Sequence, residues 1–170
     1  LIKRSVITTA EVLTRPIRGR QQTHLMTGYV HKPYAPIYAM LARHGGFDSA
    51  LLVRGVEGGV TASLRQASTT YQFIGEQPEV AVEVDPESLG IQHDLRAPAI
   101  PVGVEGNEEI SKRAAEAGIK ALEGREGITF DTLLLSATLV LHHLGRCETL
   151  EQGAELVRDV LKSGGAAGRI

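Results

Sequence analysis

Between Thr23 and Val53 the chain reads strand, helix, strand in close succession, and no other stretch limits its possible folds as much. Thr23 to Val30 reads as a strand. Pro33 and Pro36 then open a helix through Arg43, since proline is tolerated in a first helical turn. Ile37, Tyr38, Met40 and Leu41 give this helix an apolar face, and His44-Gly45-Gly46 ends it at glycine, as a left-handed cap does. Ala50 to Val53 is a short apolar run of the kind that forms a buried strand. Two strands joined through a helix pair in parallel with a right-handed crossover. The expected class is therefore α/β.

The exit of the second strand is the most informative loop. In Ser49 to Gly59 the apolar run stops at Arg54-Gly55, three glycines fall within five residues, and Arg54 and Glu57 carry the only charges. In open α/β sheets ligands sit beyond the carboxyl ends of the strands. A loop of this composition suits a phosphate or other anion, because backbone N–H groups can approach it closely. An ordinary tight strand exit accounts for the same residues. His31 and Lys32 leave the preceding strand, so in a parallel pair both sets lie at one edge. His31, Arg54, Gly55, Glu57, Gly58 and Gly59 form the candidate ligand site.

The middle of the chain changes character. Thr69 to Ile74 and Val80 to Val84 alternate, and Gly75 to Glu79 between them is of hairpin length, which predicts an antiparallel pair. Asp85 to Gly90 reads as one capped helical turn closed by glycine, and Ala97 to Gly106 as a connector. Three helices follow. Asn107 is the expected cap of the first, with Glu108–Lys112, Glu109–Arg113 and Glu116–Lys120 as i,i+4 pairs on its wet face. Thr129 or Asp131 starts the second, whose Leu133 to Leu144 run is apolar nearly all round and so buried. Thr149 caps the third, Leu150 to Lys162, which Gly164-Gly165 ends. Near the start, Ser5 to Leu13 is mixed, with a helix from Thr9 as one reading. The expected architecture is a mainly parallel central sheet flanked by helices, with an antiparallel hairpin in the middle, forming one domain over residues 1–170.

Composition removes several classes. Aromatic residues are scarce and tryptophan is absent, so the core must be aliphatic. Cys147 is the only cysteine, which excludes an internal disulfide and fits a reducing, cytoplasmic compartment. No segment reaches the roughly 20 apolar residues of a membrane helix. A zinc site has no ligand spacing, and adjacent His142 and His143 point about 100° apart on a helix, which suits packing. Neither a Gly-x-Ser-x-Gly elbow nor a phosphate-binding loop ending in Gly-Lys-Ser/Thr occurs. Charge is unevenly spread: nine basic and three acidic side chains up to Arg65, nine basic and seventeen acidic after it. Arg15, Arg18 and Arg20 around Pro16 and Gly19, with Lys32 and Arg65, suit a nucleic-acid backbone or simply a solvated surface. Tyr29, Tyr34 and Tyr71 are the aromatic residues available to stack on bases.

Several segments resemble one family. Gly28-Tyr29-Val30-His31-Lys32-Pro33, the helix after it and Ala50 to Gly55 look like the α/β domain of anthranilate phosphoribosyltransferases. Asp85 to Ile91, Asp131 to Gly145, Glu148 to Gly153 and Ser163-Gly164 are similar too, so the resemblance covers nearly the whole chain. It implies a large domain of the phosphoribosyltransferase and nucleoside-phosphorylase type, forming the C-terminal part of a longer two-domain protein. The opening Leu-Ile-Lys-Arg-Ser-Val likewise reads as the interior of a domain. A homodimer of the longer protein, a phosphorylated sugar such as phosphoribosyl pyrophosphate and a magnesium cofactor are implied as well. The family's glycine-rich phosphate loop, its Lys-His-Gly-Asn segment and its main anthranilate positions would lie upstream of Leu1.

Departures from the family pattern bear on the chemistry. Where the family places its magnesium-binding Asp-Glu pair, this chain has Val60-Thr61, leaving Glu57 as the one local metal candidate. A strand-end histidine common in the family is Arg54 here. Arg-Gly-Val-Glu-Gly with Leu64-Arg65-Gln66 after it is more similar to a paralogous bacterial branch, the glycosyltransferase family 3 proteins, some members of which resemble nucleic-acid binders. The expectation is a glycosyl or phosphoribosyl transferase with an unknown acceptor other than anthranilate. The alternatives are a non-catalytic nucleic-acid binder on the same fold, or a scaffold with a degenerate site.

Overall fold

A computed structural model describes residues 11–100 and 103–169. They pack as two compact units, one running to Val60 and taking in Ser68–Val84, the other made of Thr61–Ala67 and the chain from Asp85 onward. The first holds a four-stranded sheet, β1 (His24–Gly28), β2 (Ser49–Val53), β3 (Ser68–Ile74) and β4 (Val80–Val84), in that spatial order. Helix α1 (Tyr34–His44) connects β1 to β2. These two strands pair in parallel, His24 opposite Ser49 and Gly28 opposite Val53, as the strand–helix–strand pattern requires.

β3 runs antiparallel to β2, and β4 antiparallel to β3. The hairpin is as expected. The sheet, however, is mixed, and the expectation of a mainly parallel one reduces to the single β1–β2 pair. No crossover helix separates β2 from β3, and a strand that returns without one pairs antiparallel. β2 is buried along its whole length.

α1 seats itself on the sheet in an unexpected way. Its buried residues are Ala35, Ala39 and Ala42, while Tyr34, Ile37, Met40 and Leu41 face outward and Tyr38 is partly covered. The sequence suggested the reverse, because bulk usually marks the inner face. Here the bulk comes from the sheet side, where Leu25, Tyr29, Leu52 and Phe73 join the same core. Three alanines on the facing stripe leave room for them. The left-handed residue after the helix is Gly46, whereas Gly45 keeps a right-handed conformation. A short 3-10 turn at Glu11–Thr14 buries Leu13 against this core; the expected start at Thr9, and the rest of that segment, lie outside the described residues.

Arg43 ties α1 to the hairpin. It pairs with the Glu79 carboxylate, donates to the Gln77 carbonyl at 2.7 Å and lies 4.0 Å over the Phe73 ring. The Arg43 hydrogen bond holds the Glu79 carboxyl below its ordinary pKa.

The second unit contains a 3-10 turn, Glu87–Leu89, closed by left-handed Gly90, and three helices: α2 (Asn107–Leu122), α3 (Ile128–His143) and α4 (Leu150–Lys162). No helix or strand occupies the described part of the Ala97–Gly106 connector. Two expected helix starts differ. Asn107 is already helical, and Gly106, at φ 87°, precedes it with no side-chain cap. α3 begins at Ile128 after Gly127, at φ 145°, and not at Thr129 or Asp131. Glycine supplies the backbone break in both places, so a capping side chain is not needed. Thr149 does cap α4, its hydroxyl accepting from Gln152 N–H at 3.2 Å.

α3 buries Phe130, Leu134, Leu135, Thr138, Leu139 and His143, in keeping with its all-round apolar sequence, although Leu144 just beyond it is exposed. α4 packs on it through Gly153, where a Cβ would lie 3.2 Å from Thr138 Cγ2 and 2.8 Å from Cys147 Sγ. Burial raises the pKa of the Cys147 thiol. Among the described residues no helix is long and apolar enough to cross a membrane.

The alanine stripe of α1 yields a stability prediction. Ala39→Leu overpacks the contact with the sheet and costs about 1–3 kcal/mol, read as a lower urea midpoint with unchanged slope.

Candidate functional site

The parallel register brings the exits of β1 and β2 together, because Gly28 and Val53 are opposite one another. Just past them the Tyr29 N–H donates to the Val53 carbonyl at 2.8 Å, extending the ladder by one bond. The two loops then touch. A Cβ on Gly28 would sit 2.1 Å from the Gly59 carbonyl oxygen and 2.5 Å from that of Gly58, so only glycine allows this approach. A Cβ on Gly58 would meet Val30 Cγ2 at 2.8 Å. The candidate residues on the two exits therefore do share one edge.

The glycine loop is closed on itself. Gly55 N–H donates to Val53 at 2.8 Å, Gly58 N–H to Gly55 at 3.2 Å and Gly59 N–H to Val56 at 3.0 Å. Glu57 takes a left-handed conformation, φ 52°, which is costly for a residue with a side chain. The expected open cradle of glycine N–H groups is thus a compact turn with three of its donors engaged internally. An anion at this edge would depend on side chains, and Arg54, His31, Lys32 and Glu57 are all exposed there. The His31 ring is tilted against Tyr34 with centroids 6.1 Å apart, and the His31 carbonyl accepts from Tyr34 N–H at 2.9 Å.

Tyr29 anchors the edge from below. It is 2% exposed and its hydroxyl donates to the Thr69 carbonyl at 2.8 Å, with the Tyr71 ring 6.0 Å away. Burial, then the neighbouring Tyr71, raise its pKa, and Arg54 partly opposes this. A buried Tyr29 cannot stack on a base, which removes it from the expected aromatic set. Tyr34 is exposed and Tyr71 partly so.

The basic loop is less uniform than its sequence. Arg15, at φ 52°, turns inward and its guanidinium donates to the Gly46 carbonyl, so it serves the end of α1 and not the surface. Arg18 and Arg20 are exposed, and among the described residues neither makes an ion pair. Arg65 belongs to the second unit. There it lines an open cleft of about 430 Å³ together with Gln66, Asp85, Glu87, His93 and Asp94. His93 Nε2 lies 2.7 Å from the Asp131 carboxylate, a pairing with no local sequence signal, because 38 residues separate the two.

The donor set at the strand exits does not fit a magnesium ion held by the protein. Glu57 is the one carboxylate on the loop, and Val60 follows the glycines. Among the described residues no group of three or more His, Cys, Asp or Glu side chains could hold a metal ion.

Comparison with known proteins sets this edge in a family. The model of the glycosyl transferase family, a/b domain, matches residues 3–167, and the chain belongs to that family. It is 28% identical over 151 residues to an uncharacterized protein of Aquifex aeolicus, covering 88% of this chain and 44% of that protein. Against the anthranilate phosphoribosyltransferase of Bacillus cereus it is 27% identical over 162 residues, covering 93% and 43%. The chain therefore spans less than half the length of these relatives. Among solved structures, an anthranilate phosphoribosyltransferase from Saccharomyces cerevisiae in complex with PRPP and Mg matches with a TM-score of 0.62 at 17% identity, over 85% of this chain and 40% of that one. The enzyme from Thermus thermophilus matches with 0.54 at 23%, over 80% and 37%. The likeness to these structures is one of fold.

Two outcomes test the geometry. Gly28→Ala forces backbone apart at the loop contact, destabilises by about 1–3 kcal/mol and speeds amide exchange over residues 54–60. Tyr29→Phe loses the bond to Thr69, about 1 kcal/mol at neutral pH. Because the raised Tyr29 pKa favours the neutral phenol in the folded state, its contribution is complete below about pH 10 and is lost as pH rises through the folded value. Alkaline titration of stability should fall less steeply in Tyr29→Phe than in the parent.

Proposed function

We propose that the chain is the α/β part of a longer, two-domain pentosyl- or phosphoribosyl-transferase that binds a phosphorylated sugar at the β1–β2 exits. The observation that carries this reading is the meeting of two parallel strand exits in a family of glycosyl transferases, with Arg54, Lys32 and His31 exposed at their shared edge. Open α/β sheets take ligands at this position. A guanidinium fork matches phosphate oxygens, and an ammonium adds a mobile point charge.

In the proposed transfer the bond from the anomeric carbon to the pyrophosphate oxygen breaks, the acceptor's lone pair forms the new bond to that carbon, and the acceptor's proton passes to solvent. The departing pyrophosphate takes the electron pair. Arg54 and Lys32 offset that growing charge with charge-assisted hydrogen bonds to the phosphate oxygens. His31, leaning on Tyr34, borders the same edge. The acceptor is left open. A cytoplasmic setting and a homodimer of the longer polypeptide belong to the same reading.

Isothermal titration with phosphoribosyl pyrophosphate, with and without magnesium chloride, tests it. Binding weakened about tenfold or more by Arg54→Ala is expected, the scale of a lost charge-assisted hydrogen bond. Absence of heat at millimolar ligand counts against it. The second reading, a nucleic-acid binder, is favoured by Arg18 and Arg20, exposed and without an ion pair among the described residues. It requires binding of single-stranded oligonucleotide that falls steeply with salt and is weakened by Arg18→Ala with Arg20→Ala.

A further inference from the structure

α1 is built with its bulk on the wrong side for a helix that ends at solvent. Tyr34, Ile37, Tyr38 and Leu41 follow i, i+3, i+4, i+7 spacing and make one stripe, with Met40 beside it. Tyr34 is 48% exposed, Ile37 42%, Met40 59% and Leu41 38%. From Tyr34 to Ala42 there is no charged residue, whereas the solvent face of a surface helix is normally charged. The buried side is only the alanine stripe.

We propose that this outward face of α1 is the docking surface for a segment of the same polypeptide outside these 170 residues. Three observations favour that occupant. The relatives carry more than half of their length beyond the matched region, the chain covering 43% to 45% of them. Within the same unit β1 is also the edge of the sheet among the described residues, so the strand before α1 offers a free edge as well. Finally, the exposed stripe amounts to roughly 400 Å² of side-chain surface, about half of what each partner contributes to a stable complex. That is too little to bring a second copy from solution. It is enough for a tethered segment, whose docking avoids most of the cost of association.

The inference rests on the chain being part of a longer polypeptide, and not on sugar transfer. Titration with phosphoribosyl pyrophosphate can therefore fail while the docking surface stands.

Nitration of the natural full-length polypeptide, followed by peptide mass mapping, reads the cover directly. Tyr34 should react at least tenfold more slowly than a free tyrosine, equally at micromolar and hundred-micromolar protein. Ile37→Glu with Leu41→Glu, at positions 42% and 38% exposed here, should lower the Tm of the full-length protein by several degrees. Rapid nitration of Tyr34 overturns the proposal. Protection that appears only at high concentration, together with a dimer in sedimentation, assigns the face to a second copy and overturns it too. Should the double variant not fold, nitration of the unaltered protein decides alone.

Discussion

The parallel ladder between β1 and β2 is the contact on which the rest of the first unit depends. A parallel pair needs a crossover, and α1 provides it by lying down on three alanines. Small residues at that contact let the backbone of the helix come close to the strands, so that Leu25, Tyr29, Leu52 and Phe73 can fill the space. The same register delivers both strand exits to one level. Without it, Arg54 and His31 would have no reason to share an edge.

Three arginines serve the structure. Arg15 holds the Gly46 carbonyl, Arg43 joins α1 to the β3–β4 hairpin, and in the second unit Arg158 donates to the Leu89 carbonyl at 2.6 Å. Each of these arginines ends a helix or turn by satisfying a carbonyl that the regular structure leaves over. The basic surplus of the N-terminal half is therefore a poorer guide to an anionic partner than a count of residues suggests. Among the described residues of that half, Arg18, Arg20, Lys32, Arg54 and Arg65 stay on the surface.

The strand–helix–strand pattern, the hairpin, the glycine-closed turn after β4 and the Thr149 cap were all legible in the sequence, because each follows from local rules of periodicity and capping. The orientation of α1 was not. Periodicity shows that a helix has an apolar stripe, but with alanines on one side and large residues on the other it cannot say which side the sheet will take. The starts of α2 and α3 were missed for a related reason: Asn107, Thr129 and Asp131 look like caps, while Gly106 and Gly127 perform the break. At the candidate site the glycines were noticed and their use was misjudged. Composition cannot show that Gly55, Gly58 and Gly59 direct their N–H groups into their own loop, nor that Tyr29 is sealed beneath it.

The contact of Gly28 with Gly58 and Gly59 has a bearing on how such a loop can diverge. Backbone hydrogen bonds fix the shape of the edge, and the exposed side chains of Arg54 and Glu57 are borne on it. Chemistry can be exchanged at those two positions while the scaffold beneath stays the same. A side chain at such a position can be replaced without disturbing the backbone contact that shapes the edge.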